Sequence, residues 1–144
     1  MPNQSSILLI EDSPGECELF RQAVAASHLD IALYTEQAPE AALHFLDNHQ
    51  GALPSLILLD WHLRSGKGSA FLEQLRSNRR LITIPVVVFT TSDDASDFFI
   101  ACTHGANGYV VKPGTFDDLT RFITDLYRYW LTWNRTGSMV ATGS

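Results

Sequence analysis

Three stretches of the chain are aliphatic without polar alternation: Ile7-Leu8-Leu9-Ile10, Leu56-Ile57-Leu58-Leu59 and Val86-Val87-Val88-Phe89. A strand of that kind has to be covered on both faces, as in the middle of a parallel sheet. Each run ends in polar residues: Glu11-Asp12, Asp60 and Thr90-Thr91-Ser92. A strand buried on both sides cannot carry an ionised carboxylate along its length, but it can present one at its carboxyl end.

Between these runs the spacing changes to that of helices. Ser13-Pro14-Gly15-Glu16 reads as a helix start, and Leu19, Phe20, Ala23 and Val24 keep helical spacing to about Ser27. Ile31-Ala32-Leu33-Tyr34 is a short strand, and Pro39 to Asp47 a helix. Ser69 to Ser77 is helical through Phe71, Leu72 and Leu75. Ile84 to Phe89 makes the fourth strand, and Asp94 to His104 a helix that stops at Gly105. Asn107 to Val111 is the fifth strand, closed by Lys112-Pro113. Thr115 caps a last helix that runs to roughly Trp133. Five strands alternating with five helices predict an α/β fold, a doubly wound parallel sheet with helices on both faces.

Composition narrows the class. The 144 residues suit one domain, expected over 1–134, with a short polar, disordered tail at 135–144. A net charge of −6 argues against a general nucleic-acid surface. No apolar run reaches membrane-spanning length, and the N-terminus lacks a signal peptide's blocks. Cys17 and Cys102 form no CxxC, which fits a reduced, cytoplasmic chain.

The strand ends supply the candidate chemistry. In a doubly wound sheet Glu11, Asp12, Asp60, Thr90 and Lys112 fall on one edge. Carboxylates a few Å apart repel by several kcal/mol at an effective dielectric of about 20. Three in one pocket need counter-ions, of which Lys112 is one. A hard divalent cation supplies the rest, and oxygen ligands that leave room for phosphate suit magnesium, Mg²⁺. A carboxylate beside that cation, an ammonium and a hydroxyl is equipped to accept a phosphoryl group. The chain has no Gly-rich phosphate loop, so the group has to arrive from a donor.

With Glu11-Asp12, Asp60, Thr90 and Lys112-Pro113 in this order and spacing, the chain resembles the response-regulator receiver family over about residues 5 to 133. The resemblance implies a flavodoxin-like strand order 2-1-3-4-5. It implies that Asp60 takes a phosphoryl group from a histidine kinase, with Mg²⁺ held by Glu11, Asp12, Asp60 and the backbone carbonyl of His62. Thr90 would bind the phosphoryl group, Tyr109 would be the aromatic switch, and Lys112 would pair with the phosphoryl oxygen next to a cis Lys112–Pro113 peptide. Phe89-Thr90-Thr91-Ser92, Tyr109 to Pro113 and Tyr127-Arg128-Tyr129-Trp130 are similar to stand-alone regulators of the phytochrome-associated type. That likeness implies a phytochrome-type kinase as partner and a chain that catalyses only its own phosphorylation and slow dephosphorylation.

Three residues depart from the family. Arg64 stands where a proline is common, which leaves the loop looser, and His62 and Thr91 are expected to tune phosphoryl lifetime. A phosphatase of the haloacid dehalogenase type wants a second acid where His62 stands, and an FMN carrier of the flavodoxin kind would be repelled by the acids. His44 and His49 read as a solvated helix edge, and Trp61 as packing or rim. In the last helix Leu119, Phe122, Ile123, Leu126, Trp130 and Trp133 repeat at helical spacing, while Tyr127, Tyr129 and Leu131 lie off that stripe. Tyr127, Trp130 and Leu131 are therefore the expected contacts of a homodimer through the last helix.

Overall fold

A computed structural model describes residues 4–133. The expected tail at 135–144, together with Asn134 and the first three residues, lies outside the described residues.

The five strands of the sheet are β1 (Ser5–Ile10), β2 (Ile31–Glu36), β3 (Leu56–Leu59), β4 (Val86–Thr90) and β5 (Gly108–Val111). They are all parallel, in the order 2-1-3-4-5. The helices are α1 (Pro14–Ser27), α2 (Pro39–Asn48), α3 (Ser69–Arg76), α4 (Ala95–Thr103) and α5 (Phe116–Leu126).

The absence of polar alternation in β1, β3 and β4 is explained by two cores, one on each face. Leu8, Ile10, Ile57, Leu59, Val86 and Val88 point to a layer with Ala42, Leu46, Phe71, Leu72, Leu75 and Ala101 from α2, α3 and α4. Ile7, Leu9, Leu56, Leu58, Val87 and Phe89 point the other way, to Phe20, Ala23 and Val24 of α1 and Ile123 and Leu126 of α5. The period of two along each strand thus serves two apolar layers.

Local chemistry starts the helices. Ser13 accepts from the Glu16 N–H at the head of α1, Asp94 from Ser96 at α4, and Thr115 from Asp118 at α5. The Arg76 guanidinium ties α3 to the far end of the sheet, donating to the carbonyls of Ile82, Ile84 and Gly105 and to Asn107 Oδ1.

Two features depart from the expected plan. First, between β3 and α3 the chain forms a small antiparallel hairpin, His62–Leu63 against Gly66–Lys67. Gly66 at its turn has φ +126, a conformation closed to ordinary side chains. Second, the last helix reaches Trp133 as expected but changes its geometry: α5 ends at Leu126, and from Tyr127 to Trp133 the chain is a π-helix. Its i→i+5 bonding shifts the phase of the buried stripe. The inward positions run Ile123, Leu126, Leu131, so Leu131 is 8% exposed in its own chain's core. Trp133, expected to face the sheet, is 81% exposed. Of the expected dimer contacts, Tyr127 and Trp130 are half-buried against that core, and Leu131 belongs to it.

Candidate functional site

Strand register brings the acids together. Ile10 pairs with Leu59, so the next residues, Glu11 and Asp60, leave the sheet side by side. The Asp60 N–H donates to the Ile10 carbonyl at 3.0 Å, and the Glu11 N–H to the Glu36 carbonyl at 3.0 Å. On the other side Thr90 pairs with Val111, and the Lys112 N–H donates to the Thr90 carbonyl at 2.8 Å. Backbone bonds thus fix the origins of Glu11, Asp60, Thr90 and Lys112 at this edge.

Glu11, Asp12 and Asp60 each bring one carboxylate oxygen into a group that closes to within 4.8 Å. Among the described residues no other three His, Cys, Asp or Glu side chains converge in this way, so His44 and His49 hold no such cluster. Glu11 and Asp60 are buried, and Asp12 is half-buried. Asp12 Oδ2 accepts from the backbone N–H of Arg64 at 2.8 Å. A proline at position 64 has no N–H to give. The expected looseness of this loop is therefore met by a bond that depends on the substitution itself.

Lys112 is the local cation. Its Nζ donates to Glu11 Oε1 and, at 2.9 Å, to Glu16 Oε1, and it lies 3.7 Å from Asp60 Oδ2. Burial alone would lower the Lys112 pKa, but its bonds to Glu11 and Glu16 outweigh that and raise it, so it stays an ammonium. Glu11 behaves in the opposite sense. Burial is the largest influence, the Lys112 bond opposes it, the charge of Asp60 adds to it, and the carboxyl is pushed up to about 7. One ammonium does not stabilise three clustered carboxylates fully, and an oxygen set of this kind fits a divalent cation such as Mg²⁺. The expected cis peptide is absent, since every peptide among the described residues is trans.

Thr90 is fully buried, and its Oγ1 accepts from the Ser92 N–H at 3.3 Å. Tyr109 donates its hydroxyl to the Ser92 carbonyl at 2.8 Å and packs edge-on to Phe98, with ring centroids 5.5 Å apart. Burial raises its pKa, with the Ser92 bond opposing, so the phenol keeps its proton. Thr91 is exposed at the end of β4. Trp61, next to the acceptor, is fully buried, and a Cβ on Gly68 would stand 3.0 Å from its Cε3 and 2.8 Å from Leu59 Cδ2.

The His62 N–H lies 3.4 Å from Asp60 Oδ1, and its ring Nε2 is 2.6 Å from Asp97 Oδ2, which also accepts from Ser92 Oγ at 2.8 Å. Glu16, Ser92 and Asp97 were invisible as site residues in the sequence. Glu16 reads there as a first-turn acid, and Asp97 lies 35 residues from its imidazole partner.

Residues 7–124 match the response regulator receiver domain family. The chain is 36% identical over 133 residues to a probable methanogenesis regulatory protein, FilR2, of Methanothrix harundinacea, covering 90% of this chain and 86% of that protein. It is 32% identical over 129 residues to response regulator Rcp1 of Synechocystis, covering 87% and 88% of the two chains. The Mn²⁺-bound crystal structure of Rcp1 superposes with a TM-score of 0.78 over 92% of this chain and 98% of that one. The phosphorylated cyanobacterial phytochrome response regulator RcpA, 27% identical, superposes with a TM-score of 0.84 over 94% of this chain and all of that one.

Proposed function

The chain belongs to the response regulator receiver family, and from that premise we propose that Asp60 accepts a phosphoryl group from the phosphohistidine of a sensor kinase and that the acylphosphate resets the protein's docking surface. The observation that carries this reading is the convergence of Glu11, Asp12 and Asp60 to within 4.8 Å, with the Lys112 ammonium 3.7 Å from Asp60.

Asp60 has one oxygen near the ammonium and the other near the His62 N–H. In the transfer, a carboxylate oxygen of Asp60 attacks phosphorus. The bond from phosphorus to the kinase imidazole breaks, and its electron pair stays on that nitrogen. The product is a mixed anhydride on Asp60. Glu11, Asp12, Asp60 and the carbonyl of His62 would hold Mg²⁺, which would supply charge neutralisation for the transferring group. Lys112 lies within a small side-chain movement of the new phosphoryl oxygens. Thr90 Oγ1 accepts a 3.3 Å bond from the Ser92 N–H, and its hydroxyl proton is the one offered to a phosphoryl oxygen. Turning that hydroxyl loosens Ser92, whose carbonyl holds Tyr109, and this gives the switch a physical path. Thr91 and His62, at the rim, tune the lifetime of the anhydride.

The partner is a histidine kinase of phytochrome type, a reading supported by the likeness to Rcp1 and RcpA. The π-helical end supports a homodimer. Tyr129 is 57% exposed and packs edge-on to Trp130, and Trp133 is more exposed still. The contact surface of such a dimer is then Tyr129, Trp130 and Trp133 rather than Leu131. Incubation with acetyl phosphate and Mg²⁺, followed by intact mass, tests the core of the proposal. The wild type gains one phosphoryl group and Asp60→Asn gains none; an unmodified wild type refutes it.

A further inference from the structure

Asp97 lies in the first turn of α4 but does not cap it, because Asp94 accepts from the Ser96 N–H there. It is 5% exposed, although its neighbours Phe98 and Phe99 are 52% and 67% exposed. A carboxylate withdrawn from water in this way has to be compensated by polar partners. Two of them come from different loops: Ser92, after β4, and the imidazole of His62, after β3.

The His62 end of this tie leads into the hairpin that follows the acceptor. That hairpin has two paired positions, His62 with Lys67 and Leu63 with Gly66, and it pairs with no strand of the main sheet. A two-stranded ribbon of this size has little stability of its own. Its position is set by the buried Leu63, by the Arg64 N–H on Asp12, and by the His62 ring on Asp97. The last of these crosses from the acceptor loop to α4 at 2.6 Å and leaves the ring about half exposed.

We infer that Asp97 is a positioning residue for the cation site: by holding the His62 ring it fixes the backbone at position 62, whose carbonyl would complete the oxygen set of Glu11, Asp12 and Asp60. The inference rests on the reading of that set as a receiver's metal site. It links the cation to α4 in both directions. Displacing the start of α4 loosens the cation's ligands, and binding the cation steadies α4, because a coupling between two equilibria is reciprocal.

Calorimetric titration of the full chain with Mg²⁺ tests this, on the wild type, Asp97→Ala, Asp97→Asn, His62→Ala and the His62→Ala/Asp97→Ala double variant. Loss of an orienting partner behind a ligand typically weakens metal binding by about tenfold or more. Asp97→Ala and His62→Ala should each weaken Mg²⁺ by about tenfold, and Asp97→Asn should recover part of that. The double variant should bind no more weakly than His62→Ala alone, since Asp97 acts through that ring. Amide exchange at His62 to Arg64, measured without metal, should quicken in Asp97→Ala by about the same factor. Wild-type affinity in Asp97→Ala, or losses that simply add in the double variant, overturns the role of Asp97 and leaves the receiver reading standing. A wild type that binds no Mg²⁺ overturns the receiver reading, and the role of Asp97 with it.

Discussion

Lys112 Nζ stands 3.7 Å from Asp60 Oδ2 while it donates to Glu11 and Glu16. The ammonium is thus engaged by the neighbours of the acceptor before any phosphoryl group arrives. It competes with a cation for the same oxygens, and it is placed to meet the phosphoryl group later.

Lys112→Met separates those two effects. The substitution keeps most of the apolar stem and removes the charge. Phosphorylation by acetyl phosphate should slow at least about tenfold, the order expected when one charge-stabilising group is lost. Mg²⁺ should bind severalfold more tightly, because three carboxylates then lack their competitor. Mass spectrometry over time reads the first effect and calorimetry the second; weaker Mg²⁺ binding would contradict the competition.

Glu11 makes the cation site sensitive to pH. Its carboxyl is pushed up to about 7 in the folded protein, chiefly by burial, against an ordinary value of 4.5. Protons therefore compete with Mg²⁺ for this oxygen, and the affinity should fall as pH drops through about 7. Metal-free stability runs the opposite way with pH. The folded state binds this proton more tightly than the unfolded one, so the contribution is fully present below about 4.5 and is lost as pH rises through about 7. Glu11→Gln should flatten both profiles, as measured by titration and urea unfolding at pH 5, 6, 7 and 8.

Arg64 contributes through its main chain. Arg64→Ala keeps the N–H on Asp12 and should change folding stability by less than about 0.5 kcal/mol, as for an ordinary exposed position. Arg64→Pro deletes a hydrogen bond to a charged group and should cost about 1.5–3 kcal/mol. Equal denaturation midpoints for the two variants would show that this bond holds nothing in place.

Gly68→Ala tests the packing under the acceptor. The added methyl would meet Leu59 Cδ2 at 2.8 Å and Trp61 Cε3 at 3.0 Å, both fully buried. Overpacking of this kind costs about 1–3 kcal/mol. Thermal unfolding should show the loss, with a shift in tryptophan emission as Trp61 is displaced.

The edge of the sheet was legible from the chain because each buried strand announces its end. An aliphatic run stops at Glu11, Asp60 or Thr90, and parallel pairing with matched register does the rest. The hairpin at His62–Lys67 was not legible, since two-residue strands leave no periodicity to read. The Arg64 bond was hidden because it belongs to the backbone, which every residue type but proline shares. The His62–Asp97 tie joins two elements by tertiary packing alone. Within the last helix, composition pointed to an apolar face but could not say which side chains would occupy it, since the turn geometry changes at Tyr127.

That change of geometry means the chain's aromatic terminus is aimed by a residue count. One position along an ordinary helix corresponds to a rotation of roughly 100° about its axis. Rewinding the segment to the common pitch with every residue kept would turn Leu131 out of the core by roughly that angle and carry Trp133 with it, whereas losing one residue between Tyr127 and Leu131 during the same rewinding would leave Leu131 facing inward. The wider turns thus let the segment hold one extra residue while Leu131 keeps its seat and the terminal rings keep their bearing.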